Sequence, residues 1–123
     1  MKSLIYIVSN DIQLNNHIKQ FLGKQGYEWH FFENSYKLYE TFRHKKCVLA
    51  IIDMDISNSD DFVMCTKIKR TSSLPIILIT GENSDEDYIY EDYALGTSLG
   101  IDVYLTKPFS ELKLLTHIRT LLI

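Results

Sequence analysis

Val48-Leu49-Ala50-Ile51-Ile52-Asp53-Met54-Asp55 runs five apolar residues straight into an acidic pair. A run this short, rich in β-branched residues and free of polar ones, reads as a strand covered on both faces, the pattern of a central strand in a parallel sheet. Asp53 then stands at the strand's carboxyl end. In open α/β sheets that edge collects ligands and chemistry, because the loops leaving it form a crevice where the strand order reverses. Taken alone, Asp53 is equally well read as a polar residue that ends a strand, so the rest of the chain has to decide.

Working outward, the same apolar pattern recurs at residues 4–8 and 75–80, where Pro75 is tolerated as the first residue of its strand. An aromatic run at 27–32 predicts another strand, and 102–106 a short last one. Helical spacing fills the intervals. Ser9-Asn10-Asp11 supplies caps for a helix carrying Leu14, Ile18, Phe21 and Leu22, which Gly23 and Gly26 close. Asn34-Ser35 caps a helix with Leu38 and Phe42; after a loop and cap at 57–61, Phe62, Cys65 and Ile68 mark a third. An acidic loop at 81–87 leads into a helix over 88–99 ended by Gly100, and Ser110 caps a last one with Leu114, Leu115, Ile118, Leu121 and Leu122. Five strands thus alternate with five helices. Such alternation means parallel strands with right-handed crossovers, an α/β doubly wound sheet.

With 123 residues the chain is expected to be one domain, 1–123, long enough for a single core. The net charge of -3 with interspersed signs offers no basic stripe for a phosphate backbone, which argues against direct nucleic-acid binding by this chain. Cys47 and Cys65 lack C-x-x-C spacing and read as buried free thiols in a reducing compartment. The apolar start is too short for a signal peptide or a membrane span, so the expectation is a soluble cytoplasmic protein with no membrane partner.

Three polar residues end three successive strands: Asp53, Thr80 and Lys107. In a doubly wound sheet those ends converge on one crevice. A carboxylate can accept a phosphoryl group, a lysine can neutralise its oxygens, and a hydroxyl can donate a hydrogen bond to one of them. Singly, Thr80 reads as a turn residue and Lys107 as a surface lysine; together they suit an aspartyl-phosphate site.

At these residues the sequence resembles the receiver domain of bacterial response regulators, the CheY-like superfamily, from Leu4 to Leu122. The matches are Asp53 after its apolar strand, Thr80 ending Pro75-Ile76-Ile77-Leu78-Ile79-Thr80, and the segment Tyr104-Leu105-Thr106-Lys107-Pro108-Phe109-Ser110. The resemblance implies a flavodoxin-like five-stranded parallel sheet of order 2-1-3-4-5 with five helices. It implies Asp53 as phospho-acceptor for a sensor histidine kinase, Thr80 and Lys107 as partners of the phosphoryl group, Tyr104 as the switch aromatic, and a cis Lys107-Pro108 bond. Residues 100–122 look most like the OmpR/PhoB-type branch, whose receivers pair through the fourth helix, fifth strand and fifth helix and carry a winged-helix DNA-binding domain. DNA contact would then come only through an effector domain outside this chain. Asp102 and Arg119 match charged positions of that dimer face, while Val103 and His117 replace two others, leaving homodimerisation open.

The chain departs from the family where two adjacent acids normally hold Mg²⁺: Ser9-Asn10 stands there. At an effective dielectric of about 20, each carboxylate ~4 Å from a dication contributes a gross attraction of roughly 8 kcal/mol, so losing two weakens the metal greatly even after desolvation. By resemblance, weak ligands remain in Asp53, the backbone carbonyl of Asp55 and Asn10, with Asp11 just outside the metal's direct ligands. Asp53 against Lys107 sums to zero charge, which predicts that an Asp53-Lys107 pair replaces the metal in the resting state. Ser57 and Asp61 stand at a usual proline and glycine, predicting a different loop shape. The segment between Thr80 and Lys107 is longer than usual in the family around Tyr88, Tyr90 and Tyr93, which predicts extra helix with one tyrosine buried.

Three functions compete. The first is a phosphorylation-controlled switch, which is not an enzyme in its own right. The second is a receiver-like interaction module that works without Mg²⁺ or phosphate; Ser9-Asn10 favours it, and the intact Asp53, Thr80, Tyr104 and Lys107 oppose it. The third is a haloacid-dehalogenase-like phosphatase opened by Asp53-Met54-Asp55, but after Lys107 only Glu111 remains where that family needs an acidic pair. A flavin role is disfavoured because no Ser/Thr/Gly-rich phosphate loop follows the first strand.

Overall fold

The computed structural model describes residues 3–54, 60–80 and 100–122. Its elements in chain order are β1 (Leu4–Val8), α1 (Ile12–Lys24), β2 (Glu28–Phe32), α2 (Ser35–His44), β3 (Leu49–Asp53), α3 (Asp60–Thr71), β4 (Ile76–Thr80), β5 (Val103–Thr106) and α4 (Glu111–Leu121). The strands form one sheet in the order β2-β1-β3-β4-β5, and every neighbouring pair is parallel. This is the doubly wound order that the resemblance implied. Four helices are seen among the described residues; the one expected over 88–99, with Tyr88, Tyr90 and Tyr93, lies outside them, as do Asp55 and Ser57.

The two-residue period of the strands sorts the core into two layers. Ile5, Ile7, Leu49, Ile51, Ile77, Ile79 and Leu105 pack with Ile18, Phe21 and Leu22 of α1 and with Leu114 and Ile118 of α4. Their alternates Tyr6, Val8, Ala50, Ile52, Ile76 and Leu78 pack with Leu38 and Phe42 of α2 and Cys65 and Ile68 of α3. Each isoleucine or leucine so buried stabilises the fold by about 2 kcal/mol relative to an exposed one. Tyr6 is the polar exception inside β1. Its hydroxyl escapes by donating to the Lys45 carbonyl at 2.6 Å, while its ring sits edge-on to Phe32.

Local signals place the helix ends. Asp11, Asn34 and Ser110 each accept a hydrogen bond from the backbone N–H three residues on, at 3.1, 2.9 and 3.1 Å. The end of α1 differs from expectation: Gly23 lies within the helix, facing the Trp29 ring, and of the two glycines only Gly26 takes the left-handed conformation, at φ +80°. Asp61, expected in the loop, is instead the second residue of α3 and buried there, so the glycine usual at its position is replaced without a positive φ. The third strand starts at Leu49, with Val48 exposed just before it.

Both cysteines are free, Cys65 buried and Cys47 half-buried. Burial pushes the Cys65 thiol up to about 12 and the Cys47 thiol up to about 11. A thiol held protonated in this way is a poor nucleophile. Neither cysteine should therefore react with Ellman's reagent at pH 8 in the native protein, whereas both should in urea. The unfolded chain releases the Cys65 proton near the ordinary thiol value while the folded chain keeps it. Stability from this group is complete below pH 9 and is expected to decline by about 1.4 kcal/mol per pH unit as pH rises toward the folded value, measured by urea unfolding.

Candidate functional site

β3 ends on Asp53, β4 on Thr80, and β5 is followed directly by Lys107, so the three meet the same carboxyl edge of the sheet. Hydrogen bonds from Met54 N–H to the Ile79 carbonyl (2.8 Å) and from Lys107 N–H to the Thr80 carbonyl (2.9 Å) carry the ladder past the strand ends and fix the loop origins. The Lys107-Pro108 peptide is cis, as the resemblance implied.

The Lys107 ammonium donates to Asp53 Oδ2 at 2.8 Å and to Asp11 Oδ2 at 3.1 Å. Asp53 is the enclosed partner, with its side chain 11% exposed, whereas Asp11 is 40% exposed. At an effective dielectric of about 20 the closer pair has a gross attraction of about 6 kcal/mol, most of which desolvation offsets. Burial acts against the charge on Lys107, but its hydrogen bonds to Asp53 and Asp11 outweigh this and hold the ammonium above the ordinary lysine range. The Asp11 carboxyl is held below the usual carboxylate range, first by the Leu14 N–H and then by Lys107. Ser9, buried at the end of β1, donates its hydroxyl to Asp53 Oδ2 at 3.3 Å and accepts from the Asp11 N–H at 3.2 Å.

The expected Asp53-Lys107 pair is therefore present, but the expected charge count needs correction. Asp11 joins directly, so two carboxylates face one ammonium and the cluster carries -1 instead of zero. From the sequence, Ser9 reads only as a cap beside the lost metal site, and Asp11 as a cap that, with Asp55, is a candidate to restore charge from just outside the metal's direct ligands; its direct contact with Lys107 is not legible there. The missed signal is that Ser9 directly follows β1, at the sheet edge where Asp53 and Lys107 also emerge. Asn10 is exposed, and Asp55 lies outside the described residues.

Thr80 and Tyr104 belong to the other layer. Thr80 is buried and donates its hydroxyl to Thr106 Oγ1 at 3.4 Å; Tyr104 is half-buried against the layer formed with α2 and α3. The site thus straddles the sheet edge, with the charged cluster on the α1 and α4 side and the hydroxyl and aromatic on the opposite side. The two charged residues matched to a dimer face make contacts within the chain. Asp102 Oδ2 accepts from the Ile76 N–H at 2.8 Å and from Lys69 at 2.9 Å, and Arg119 donates to Gln25 at 2.8 Å.

Mg²⁺ wants near-octahedral oxygen ligation at short range, usually with one or two carboxylates. Among the described residues the donor set does not fit a tightly held Mg²⁺. Ser9 and Asn10 are neutral, and Asp11 and Asp53 already share an ammonium. No group of three or more His, Cys, Asp or Glu able to hold a metal occurs among the described residues.

The five-stranded parallel sheet of this order, with an aspartate and a lysine paired at its carboxyl edge, is the arrangement of a doubly wound receiver-like domain. The chain belongs to the response regulator receiver domain family, whose model matches residues 5–119. It is 29% identical over 118 residues to the uncharacterized transcriptional regulatory protein YclJ of Bacillus subtilis, covering 96% of this chain and 50% of that protein. It is 26% identical over 119 residues to the regulatory protein VanR of Enterococcus faecium, covering 97% of this chain and 49% of that protein. The chain thus spans about half the length of the curated relatives it matches. Among solved structures, a putative response regulator from Chloroflexus aurantiacus superposes with a TM-score of 0.82 at 20% identity, covering 99% of this chain and 98% of that one, a likeness of fold. No helix among the described residues is long and apolar enough to cross a membrane.

Asp11 uses one oxygen to cap α1 and the other to hold Lys107. Asparagine caps as well as aspartate, so the two roles separate by substitution. Asp11→Ala is expected to lower stability by about 1 kcal/mol and Asp11→Asn by clearly less. Urea unfolding at neutral pH measures both.

Proposed function

We propose that this chain is the phosphorylation-controlled switch of a two-component system, accepting a phosphoryl group from a sensor histidine kinase on Asp53. In the transfer an Asp53 carboxylate oxygen attacks phosphorus, and the phosphorus–nitrogen bond of the phosphohistidine breaks with its electron pair going to the imidazole. The observation that carries this reading is the Lys107 ammonium 2.8 Å from the Asp53 carboxylate, where it can neutralise the incoming oxygens. Thr80 would turn its hydroxyl from Thr106 toward the phosphoryl group, and Tyr104 would follow it inward. Charge-driven rearrangement of a two-state element is a common switch mechanism. The domain on this reading catalyses no reaction on an outside substrate and works in the cytoplasm.

The surface that changes would be the one around β5 and α4 with the segment before β5, as in the OmpR/PhoB-type branch. A homodimer through that surface, and DNA contact through an effector domain elsewhere in a longer protein, complete the proposal. The transcriptional regulatory relatives support it. Mg²⁺ would be held only weakly on this reading, with Asp53, Asn10 and the backbone carbonyl of Asp55 as its ligands.

The second reading is a phosphorylation-independent interaction module, favoured by the neutral Ser9 and Asn10. Incubation with acetyl phosphate over a range of Mg²⁺ concentrations separates the two. The switch reading expects the mass gain of one phosphoryl group on Asp53, absent in Asp53→Asn. No adduct at any Mg²⁺ concentration would overturn the switch reading and leave the second.

A further inference from the structure

We propose that the Lys107 ammonium is the resident cation of this site, gripped by Asp11 and Asp53 together, and that a divalent cation can enter only by displacing it. The inference rests on the reading of this edge as the phosphoryl-accepting site, and it assigns Asp11 a part in regulating that site.

The contacts support it from both sides. Lys107 reaches the two carboxylates at 2.8 and 3.1 Å, so it stands where a cation bridging them would stand. Both carboxylates are already engaged where they face the ammonium. Asp11 is pinned by its other oxygen, which accepts the Leu14 N–H at 3.1 Å as the cap of α1. Asp53 Oδ2 also accepts the Ser9 hydroxyl at 3.3 Å. Mg²⁺ needs oxygens at about 2.0–2.1 Å, closer than the ammonium holds them. Its entry therefore requires three losses at once: the Lys107 contacts, a shift of the capping carboxylate, and repulsion from an ammonium left nearby. The two neutral residues at 9 and 10 provide no charge to offset those losses.

The arrangement makes Lys107 both the obstacle to the metal and its substitute. With two carboxylates around it, the cluster keeps a charge of -1, so removing the ammonium leaves a doubly negative site open to a dication. Asp11, and not Asn10, then decides how strongly that opened site binds.

Isothermal titration of Mg²⁺ into the purified protein and four variants tests this, with circular dichroism confirming that each is folded. The native protein is expected to show no binding at millimolar Mg²⁺. Lys107→Met should bind about ten-fold tighter or more than the native protein. Adding Asp11→Asn to Lys107→Met should abolish the gain, because asparagine retains the cap but not the charge, while adding Asn10→Ala should leave the gain in place. Lys107→Gln replaces Lys107→Met if the latter does not fold. Binding by the native protein at millimolar Mg²⁺ or below overturns the inference. So does a lysine variant that binds no tighter, or a gain that survives Asp11→Asn. The outcome is independent of the acetyl phosphate experiment. A native protein that never accepts a phosphoryl group while the Mg²⁺ results hold removes the switch reading alone, and a phosphorylated native protein with no gain in Lys107→Met removes this inference alone.

Discussion

Coverage of the sheet on both faces is the constraint from which the rest follows. The inner strands β1, β3 and β4 have helices above and below, so an unpartnered polar side chain within them would be buried in hydrocarbon at a cost of several kcal/mol. The chain obeys this closely. From Leu49 to Ile52 and from Ile76 to Ile79 every side chain is apolar and buried, and the one polar ring in β1, Tyr6, finds a carbonyl for its hydroxyl. Polar chemistry is displaced to where the strands stop. Because the strands are all parallel, they stop at the same edge, and residues far apart in sequence meet there.

At that edge the charges settle around Lys107. It gathers Asp53 from the end of β3 and Asp11 from the start of α1, linking the central strand, the first helix and the loop before the last helix. Asp11 is economical in this respect, since one carboxylate both ends the exposed N–H groups of α1 and faces the ammonium. The hydroxyl of Thr80 and the ring of Tyr104 stand on the other side of the same edge. A change of charge on Asp53 would be felt first by Lys107, and through it by Asp11 at the start of α1.

The contacts of Asp102 and Arg119 belong to the same logic of local satisfaction. Asp102 meets the Ile76 N–H at the first residue of β4 and draws in Lys69, while Arg119 ties α4 to the end of α1 through Gln25. Charges that could serve an intermolecular face are here already used within one chain.

The α/β alternation, the caps Asp11, Asn34 and Ser110, and the convergence of Asp53, Thr80 and Lys107 could all be read from residue order, because period, capping chemistry and strand ends are local properties. The order of the strands and the reading of this edge as an aspartyl-phosphate site rest on motif likeness. Finer boundaries escaped: Gly23 looked like a stop beside Gly26, and only the backbone path shows which glycine needs the left-handed conformation. The grip of Asp11 on Lys107 and the turn of Ser9 toward Asp53 escaped for a deeper reason. They join residues 96 and 44 positions apart in the chain. Which oxygen of Asp11 faces α1 and which faces Lys107 depends on how the first helix and the last loop lean on the finished sheet. Local order can place each charge at the edge, but the pairing among them is decided by distances that exist only once the sheet has formed.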